Sequence, residues 1–183
     1  SEVDLSTWSV QYEGATGDDK NDPGWHKLDL NGSIPAHSSY LIRTKKYKDN
    51  TTPANFQVPT GDMQWDDIII NGKGVAVTLM SNQQLLTDNN IFDNTSKKPL
   101  KEGYVDLVGV HGNDSMESEK AFAFEGYATD SQSTKKAVRR IDFQDTDCNA
   151  IGEDDGDFVI IEYNATDADY LQWARPRTTA DGA

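Results

Sequence analysis

Cysteine occurs once in the 183 residues, at Cys148, so no internal disulfide can staple the chain. Zinc chemistry is equally poorly supplied: the three histidines, His26, His37 and His111, are scattered, and there is no His-x-x-x-His or Cys-x-x-Cys pair. No apolar run approaches the length of a membrane span, and no signal-peptide h-region is present. Positive charge is scarce as well. Seventeen Lys and Arg against 31 Asp and Glu leave a formal net charge of -14, which argues against nucleic acid and against anionic membrane surfaces, since both need a basic footprint. The same imbalance suits a protein that attracts cations. Signatures of catalysis are missing too. There is no Gly-x-Ser-x-Gly elbow, and Gly72-Lys73-Gly74 lacks the other elements of a nucleotide loop. Cys148 has acidic neighbours, the opposite of the surroundings that favour a thiolate nucleophile. Nothing singles out a pair of acids for glycoside hydrolysis. The chain reads as a non-enzyme.

What is present is short apolar alternation. Hydrophobic residues make up 36% of the chain and the mean hydropathy is -0.71, so the surface is strongly polar while the apolar residues gather in short runs. Trp8, Val10 and Tyr12 alternate with Ser9 and Gln11; Leu28 and Leu30 lead into the turn signal Asn31-Gly32. Tyr40-Leu41-Ile42, Ile68-Ile69-Ile70 before Asn71-Gly72, Val75/Val77/Leu79, Val105/Leu107, Val138–Asp142 and Phe158–Ile161 follow as further strand candidates. No segment sustains a 3.6-residue period. This pattern predicts an all-β fold, a single domain over 1–183, with Trp8, Val10, Leu28, Leu41, Val77, Leu79, Val105, Leu107 and Val159 buried. The polar stretches 14–24, 45–66, 82–101 and 112–133 exceed ordinary loop lengths, so they are expected to hold short helices or ordered loops.

Seven of the sixteen residues from Asp142 to Asp157 are acidic, against 31 of 183 in the whole chain, which marks this stretch as unusual. Oxygen ligands at alternate positions, as in Asp145, Asp147 and Asn149, converge on a hard cation when the backbone curls around it. The spacing opens like an EF-hand loop, but position six is Ala150 and position twelve is Gly156, which argues against a true EF-hand. A looser Ca²⁺ site completed by Asp154, Asp155 or Asp157 is one reading. The other is that these acids pair with Arg139 and Arg140, cap turns and sit in water. Trp25, Trp65 and Trp173 stand beside turn residues or strand margins, where they either form a flat platform for a sugar or partner, or plug the end of a sandwich.

Taken in order, several segments resemble the bacterial branch of the lamin tail domain family. Val3-Asp4-Leu5-Ser6-Thr7-Trp8-Ser9-Val10-Gln11-Tyr12 resembles the family's "V-D-L-S-G-W-S-V-Q-Y" strand, with Thr7 in place of glycine. Leu30 to Ala36 followed by Tyr40-Leu41-Ile42 resembles its "L-x-G-S-I-P-x-x-x-Y-L-I" segment. Gly74-Val75-Ala76-Val77, Val105 to Gly109, Ser133-Thr134 with Val138-Arg139-Arg140, Asp145-Thr146-Asp147-x-Asn149 and Asp157-Phe158 continue the pattern to about Arg177.

The resemblance implies an immunoglobulin-like β-sandwich with long polar loop insertions around 45–66 and 82–101. It also implies an extracellular or cell-surface setting, a bacterial protein, and a non-catalytic module that binds or tethers a protein or glycan partner. An accessory domain of a secreted nuclease or phosphoesterase, and a carbohydrate-binding module, are the alternatives. The family's first two strands have no counterpart here, and the chain opens Ser1-Glu2-Val3 without methionine, so a processed or excised fragment is expected. A sheet edge left open by that truncation invites a second copy, giving a homodimer by strand addition.

Overall fold

The computed structural model describes residues 1–14, 24–45, 58–70, 74–111, 123–129, 136–150, 156–162 and 175–181. The fold is all-β: among the described residues, the one helical element is a 3-10 turn at Thr179–Asp181. Its centre is a four-stranded antiparallel sheet built from β2 (Ser9–Gly14), β3 (His26–Asp29), β7 (Gly74–Met80) and β10 (Tyr104–His111), in the order β10-β7-β2-β3. Among the described residues, four two-stranded pairs accompany it. They join β1 (Val3–Asp4) to β4 (Ser33–Ile34), β5 (Ile42–Thr44) to β6 (Met63–Trp65) in parallel, β8 (Phe92–Asp93) to β9 (Lys98–Pro99), and β11 (Lys136–Arg140) to β12 (Phe158–Glu162). Asn31-Gly32 turns the chain between β3 and β4 as its sequence predicts, with Gly32 at φ 73°.

The register sorts the central sheet into two faces, because side chains alternate along each strand. Ser9, Gln11 and Glu13 lie opposite Met80, Thr78 and Ala76, and Thr78 and Ala76 in turn face Leu107 and Gly109. Val10 and Tyr12 lie opposite Leu79 and Val77 on the reverse side, beside Val108 and Val110. Both sides are covered. Trp25, Ala76, Met80, Leu86, Ile91, Phe92, Leu107 and Ala123 form one core; Tyr12, Trp65, Ile68, Val75 and Val110 form the other. Each fully buried large side chain, such as Met80, Ile91 or Leu107, contributes about 1.5–3 kcal/mol by leaving water.

This two-sided burial corrects the expected core. Of the nine residues expected inside, Leu107 is buried; Trp8, Val10, Leu28, Leu41, Val77, Leu79 and Val159 are half-buried, and Val105 is exposed. The most tightly sealed positions of β2 and β7 include the polar residues between the apolar ones: Ser9, Gln11 and Thr78 are at 0% exposure. Their polar groups are satisfied by the segment that covers them. The Gln11 amide donates to the Gln84 carbonyl (2.8 Å) and accepts from the Leu86 N–H (2.9 Å); the Ser9 hydroxyl donates to the Asn82 carbonyl (2.7 Å). Lys27 Nζ adds a bond to the Gln83 carbonyl at 2.6 Å. Side chains thus fasten residues 82–86 to the sheet as a partner strand would, which lets a long polar stretch be ordered without being a strand.

Ile68-Ile69-Ile70 is a second correction. It is not a strand: Ile68 enters the core while Ile69 and Ile70 are exposed. Neither is the edge beside β10 open. The Asn149 side chain accepts from Gly109 N–H (2.8 Å) and donates to the Leu107 carbonyl (2.9 Å), as a neighbouring strand would. Thr129 continues this cover, donating its N–H to the Gly109 carbonyl and accepting from His111 N–H. Among the described residues no strand pairs with the outer edge of β3. No helix is long and apolar enough to cross a membrane, among the described residues.

Candidate functional site

The acidic loop after β11 does curl around a centre, but the centre is an anion. The Asp157 carboxylate, at 0% exposure, accepts from Thr146 N–H (2.9 and 3.1 Å), the Thr146 hydroxyl (2.9 Å), Cys148 N–H (3.3 Å) and the Gln144 amide (3.3 Å). The Arg140 guanidinium stands 3.6 Å away. Asp147, between the Thr146 and Cys148 amides that reach Asp157, takes a left-handed φ of 55°; Asp142 and Phe143, at 44° and 60°, turn the chain between Ile141 and Gln144. A calcium loop needs oxygens inward. Here N–H groups line the inside, and Asp157 fills it.

Asn149 is likewise spent on structure. At 0% exposure its Oδ1 accepts from Gly109 and Glu125 N–H, and its Nδ2 donates to the Leu107 carbonyl and to Glu125 Oε2. Two donor hydrogens and two lone pairs are thereby used, which leaves nothing for a metal. Of the six acidic and amide ligands expected from sequence, the Asn149 and Asp157 side chains are held by hydrogen bonds within the chain. Asp154 and Asp155 lie outside the described residues. Asp145 is exposed and Asp147 half-buried.

Asp145 instead meets two acids the sequence reading passed over. Asp106 on β10, Glu125 in the 123–129 segment, and Asp145 each present a carboxylate oxygen within 4.8 Å of the others. Three separate parts of the chain build this corner. A register shift in β10 between Tyr104 and Asp106 re-aims the second residue relative to the first, and both reach Glu125's surroundings. The 123–129 segment can approach β10 because position 109 is glycine: a Cβ there would lie 2.3 Å from the Ala123 carbonyl oxygen and 2.5 Å from Phe124 Cβ. Asn149 locks the segment from the other side, its N–H donating to the Glu125 carbonyl at 2.8 Å.

Arg140 is the counter-ion of this corner. Its Nη2 donates to both oxygens of Asp106 (2.7 and 2.6 Å), its Nη1 to the Gln144 carbonyl (2.9 Å), and Asp145 lies 3.5 Å from Nη1. Its guanidinium also sits 4.6 Å from the Phe158 ring centroid, a cation–π contact that helps fix it. Glu125, at 1% exposure, accepts from the Tyr104 hydroxyl and from Asn149. Burial pushes its carboxyl up to about 7; the Tyr104 bond opposes this, and the charges of Asp106, Asp145 and Asp147 push the same way. Burial also raises Asp106, against the pull of Arg140, and raises the Tyr104 phenol, whose proton Glu125 holds. The corner carries more negative charge than its one guanidinium offsets. It has only oxygen donors, which suits a hard cation rather than zinc.

Trp25 and Trp65 do not make a platform. Trp25 is buried in one core, its Nε1 donating to the Asp88 carbonyl (3.2 Å) and to Asn89 Oδ1 (3.0 Å); Trp65 is buried in the other. Neither presents a face to solvent, and Trp173 lies outside the described residues. An open groove of about 220 Å³ runs past Leu85 and Leu100 over Met80, and none of the corner's carboxylates lines it. Neither Asp106 nor Glu125 was legible in the sequence. Asp106 alternates between two apolar residues like any outward strand residue, and Glu125 follows the apolar run Ala121-Phe122-Ala123-Phe124 as a lone acid with no second ligand-type residue beside it. Beyond the chain itself, no family model matches it, and no curated protein or solved structure matches it either.

Proposed function

We propose that this chain is a non-catalytic binding or tethering module of a secreted or surface protein, and that its acidic corner takes a Ca²⁺ ion at Asp106, Glu125 and Asp145. The observation that carries the metal is the convergence of three carboxylates from three parts of the chain, one of them sealed from water. Without a cation, Glu125 is neutralised by a proton near neutral pH. A divalent ion would replace that proton and offset Asp145 as well. Calcium fits better than magnesium because it tolerates irregular oxygen sets of six to eight ligands, whereas magnesium demands near-octahedral geometry. Asp147, whose charge already acts on Glu125, is a further acid beside the corner.

The module itself is read from the sequence resemblance to the lamin tail family between Val3 and Arg177, and the immunoglobulin-like arrangement belongs to that reading. It is supported by an antiparallel four-stranded sheet with packed layers on both faces. An accessory role beside a secreted nuclease or phosphoesterase remains the alternative of a different class. For the carbohydrate-binding reading, Trp25 and Trp65 offer no stacking face, since both are interior.

The test is thermal unfolding with millimolar Ca²⁺ or with EGTA, on the wild type and on Asp145→Asn. A ligand at 100 times its Kd stabilises the folded state by about 2.7 kcal/mol, so the wild-type midpoint should rise by several degrees and that of the variant should not. Equal wild-type midpoints in Ca²⁺ and EGTA would leave the corner as a proton- and arginine-neutralised structural cluster.

A further inference from the structure

We propose that the folded state of this chain depends on concentrated salt: a screening atmosphere of cations, rather than internal ion pairs, offsets its surface charge. The charge count sets the problem. With 31 acids and 17 bases, fourteen acids have no basic counterpart however the pairs are arranged. The bases are already engaged where ion pairs are described: Lys27 with Asp29 (2.6 Å), Lys101 with Asp88 (2.7 Å), Arg140 with Asp106 (2.6 Å) and Arg175 with Asp181 (3.4 Å). Exposed acids such as Asp66, Asp67, Glu102 and Asp142 have no such partner among the described residues.

Folding brings these like charges closer together than they are in an extended chain, so their repulsion penalises the native state. Salt removes that penalty by screening. The Debye length is about 8 Å at 0.15 M and about 3 Å at 1 M, which spans the spacing of neighbouring surface charges. The opposing term is modest in this chain. Hydrophobic residues are 36% of the total, and the best-sealed face of the central sheet includes Ser9, Gln11 and Thr78, whose hydrogen bonds contribute less net stability than apolar burial would.

Thermal unfolding is measured from 0.1 to 2 M KCl with EGTA throughout, so that no Ca²⁺ contributes and a failure here is independent of the calcium reading. KCl is chosen over sulfate because sulfate strengthens apolar burial directly. The midpoint should rise by about 5 °C or more between 0.1 and 1 M. A chain already unfolded at 0.1 M that gains its β-sheet circular dichroism on adding KCl supports the same conclusion. The control is D67N/E102Q/D142N, which changes the charge from -14 to -11 (three acids removed). None of these three side chains holds a described hydrogen bond or ion pair, and asparagine tolerates the φ of 44° at position 142. It should melt higher than wild type at 0.1 M and respond less to salt. A wild-type midpoint that is flat or falls with KCl overturns the proposal, and so does a triple variant with the full wild-type salt response.

Discussion

Asp157 and Glu125 are both carboxylates sealed from solvent, and their surroundings are opposite. Asp157 sits in a cup of donors: two backbone N–H groups, a hydroxyl and an amide reach it, with Arg140 3.6 Å behind. Glu125 has two neutral donors, Tyr104 and Asn149, and carboxylates for neighbours. A buried anion surrounded by N–H groups is held in place by its own chain and organises the loop around it. A buried acid set among other acids keeps its proton or recruits a cation. The first arrangement builds structure; the second leaves a demand for positive charge that something outside the chain can meet.

The contrast can be broken from either side. Asp157→Ala should be the most damaging of the substitutions considered, because it empties the cup and orphans the Thr146 and Cys148 N–H groups together with part of Arg140's field. We expect a loss of about 4 kcal/mol in urea unfolding. Gly109→Ala comes next, at about 3 kcal/mol, since its Cβ would collide with the Ala123 carbonyl and push the Glu125 segment off β10. That variant should also lose any Ca²⁺ response, because the corner no longer closes.

Glu125 gives a pH dependence of opposite sign to an ordinary stabilising carboxylate. Its folded value near 7 lies above the 4.5 of an unperturbed glutamate, so the folded state holds the proton more tightly than the unfolded state does. This contribution is fully present below pH 4.5 and is lost as pH rises through about 7, up to about 3 kcal/mol in total. In EGTA the wild type should therefore lose stability across this window relative to Glu125→Gln, which cannot ionise. A difference between the two that stays constant with pH would mean that Glu125 does not titrate there. The smallest effect belongs to Asp145→Asn. An exposed acid 3.5 Å from Arg140 contributes no more than about 0.5 kcal/mol, so in EGTA the variant should melt close to wild type.

How far the sequence reaches follows from the same physics. The strands β2, β3, β7, β10, β11 and β12 were legible because alternation and β-branching report a pleated surface directly, and the Asn31-Gly32 turn was legible because few residues accept its φ. Which face is sealed was not legible. Ser9, Gln11 and Thr78 look like solvent-facing residues, and only the hydrogen bonds supplied by residues 82–86 reverse that. The acidic loop was found by its composition, but the inward N–H groups that hold Asp157 were not legible there. Ligand spacing says nothing about whether carbonyls or N–H groups turn inward; here the left-handed Asp147 stands between the two N–H groups that face Asp157. Trp25 and Trp65 stand beside turn residues, which suggests exposure, but their rings reach back into the two cores. Glu125 left no local trace. Its role depends on contacts with Tyr104, twenty-one residues before it, and with Asn149, twenty-four after it.

A cation bound at the proposed site would displace Glu125's proton. Calorimetric titration of the wild type with Ca²⁺ at pH 7, repeated in buffers of different ionisation enthalpy, reads that exchange directly, because metal binding to a protonated ligand releases protons. With Glu125 near 7, about half a proton should leave per ion bound. Glu125→Gln should bind more weakly and release none. Binding of Ca²⁺ to the wild type without proton release, or proton release undiminished in Glu125→Gln, would contradict the account.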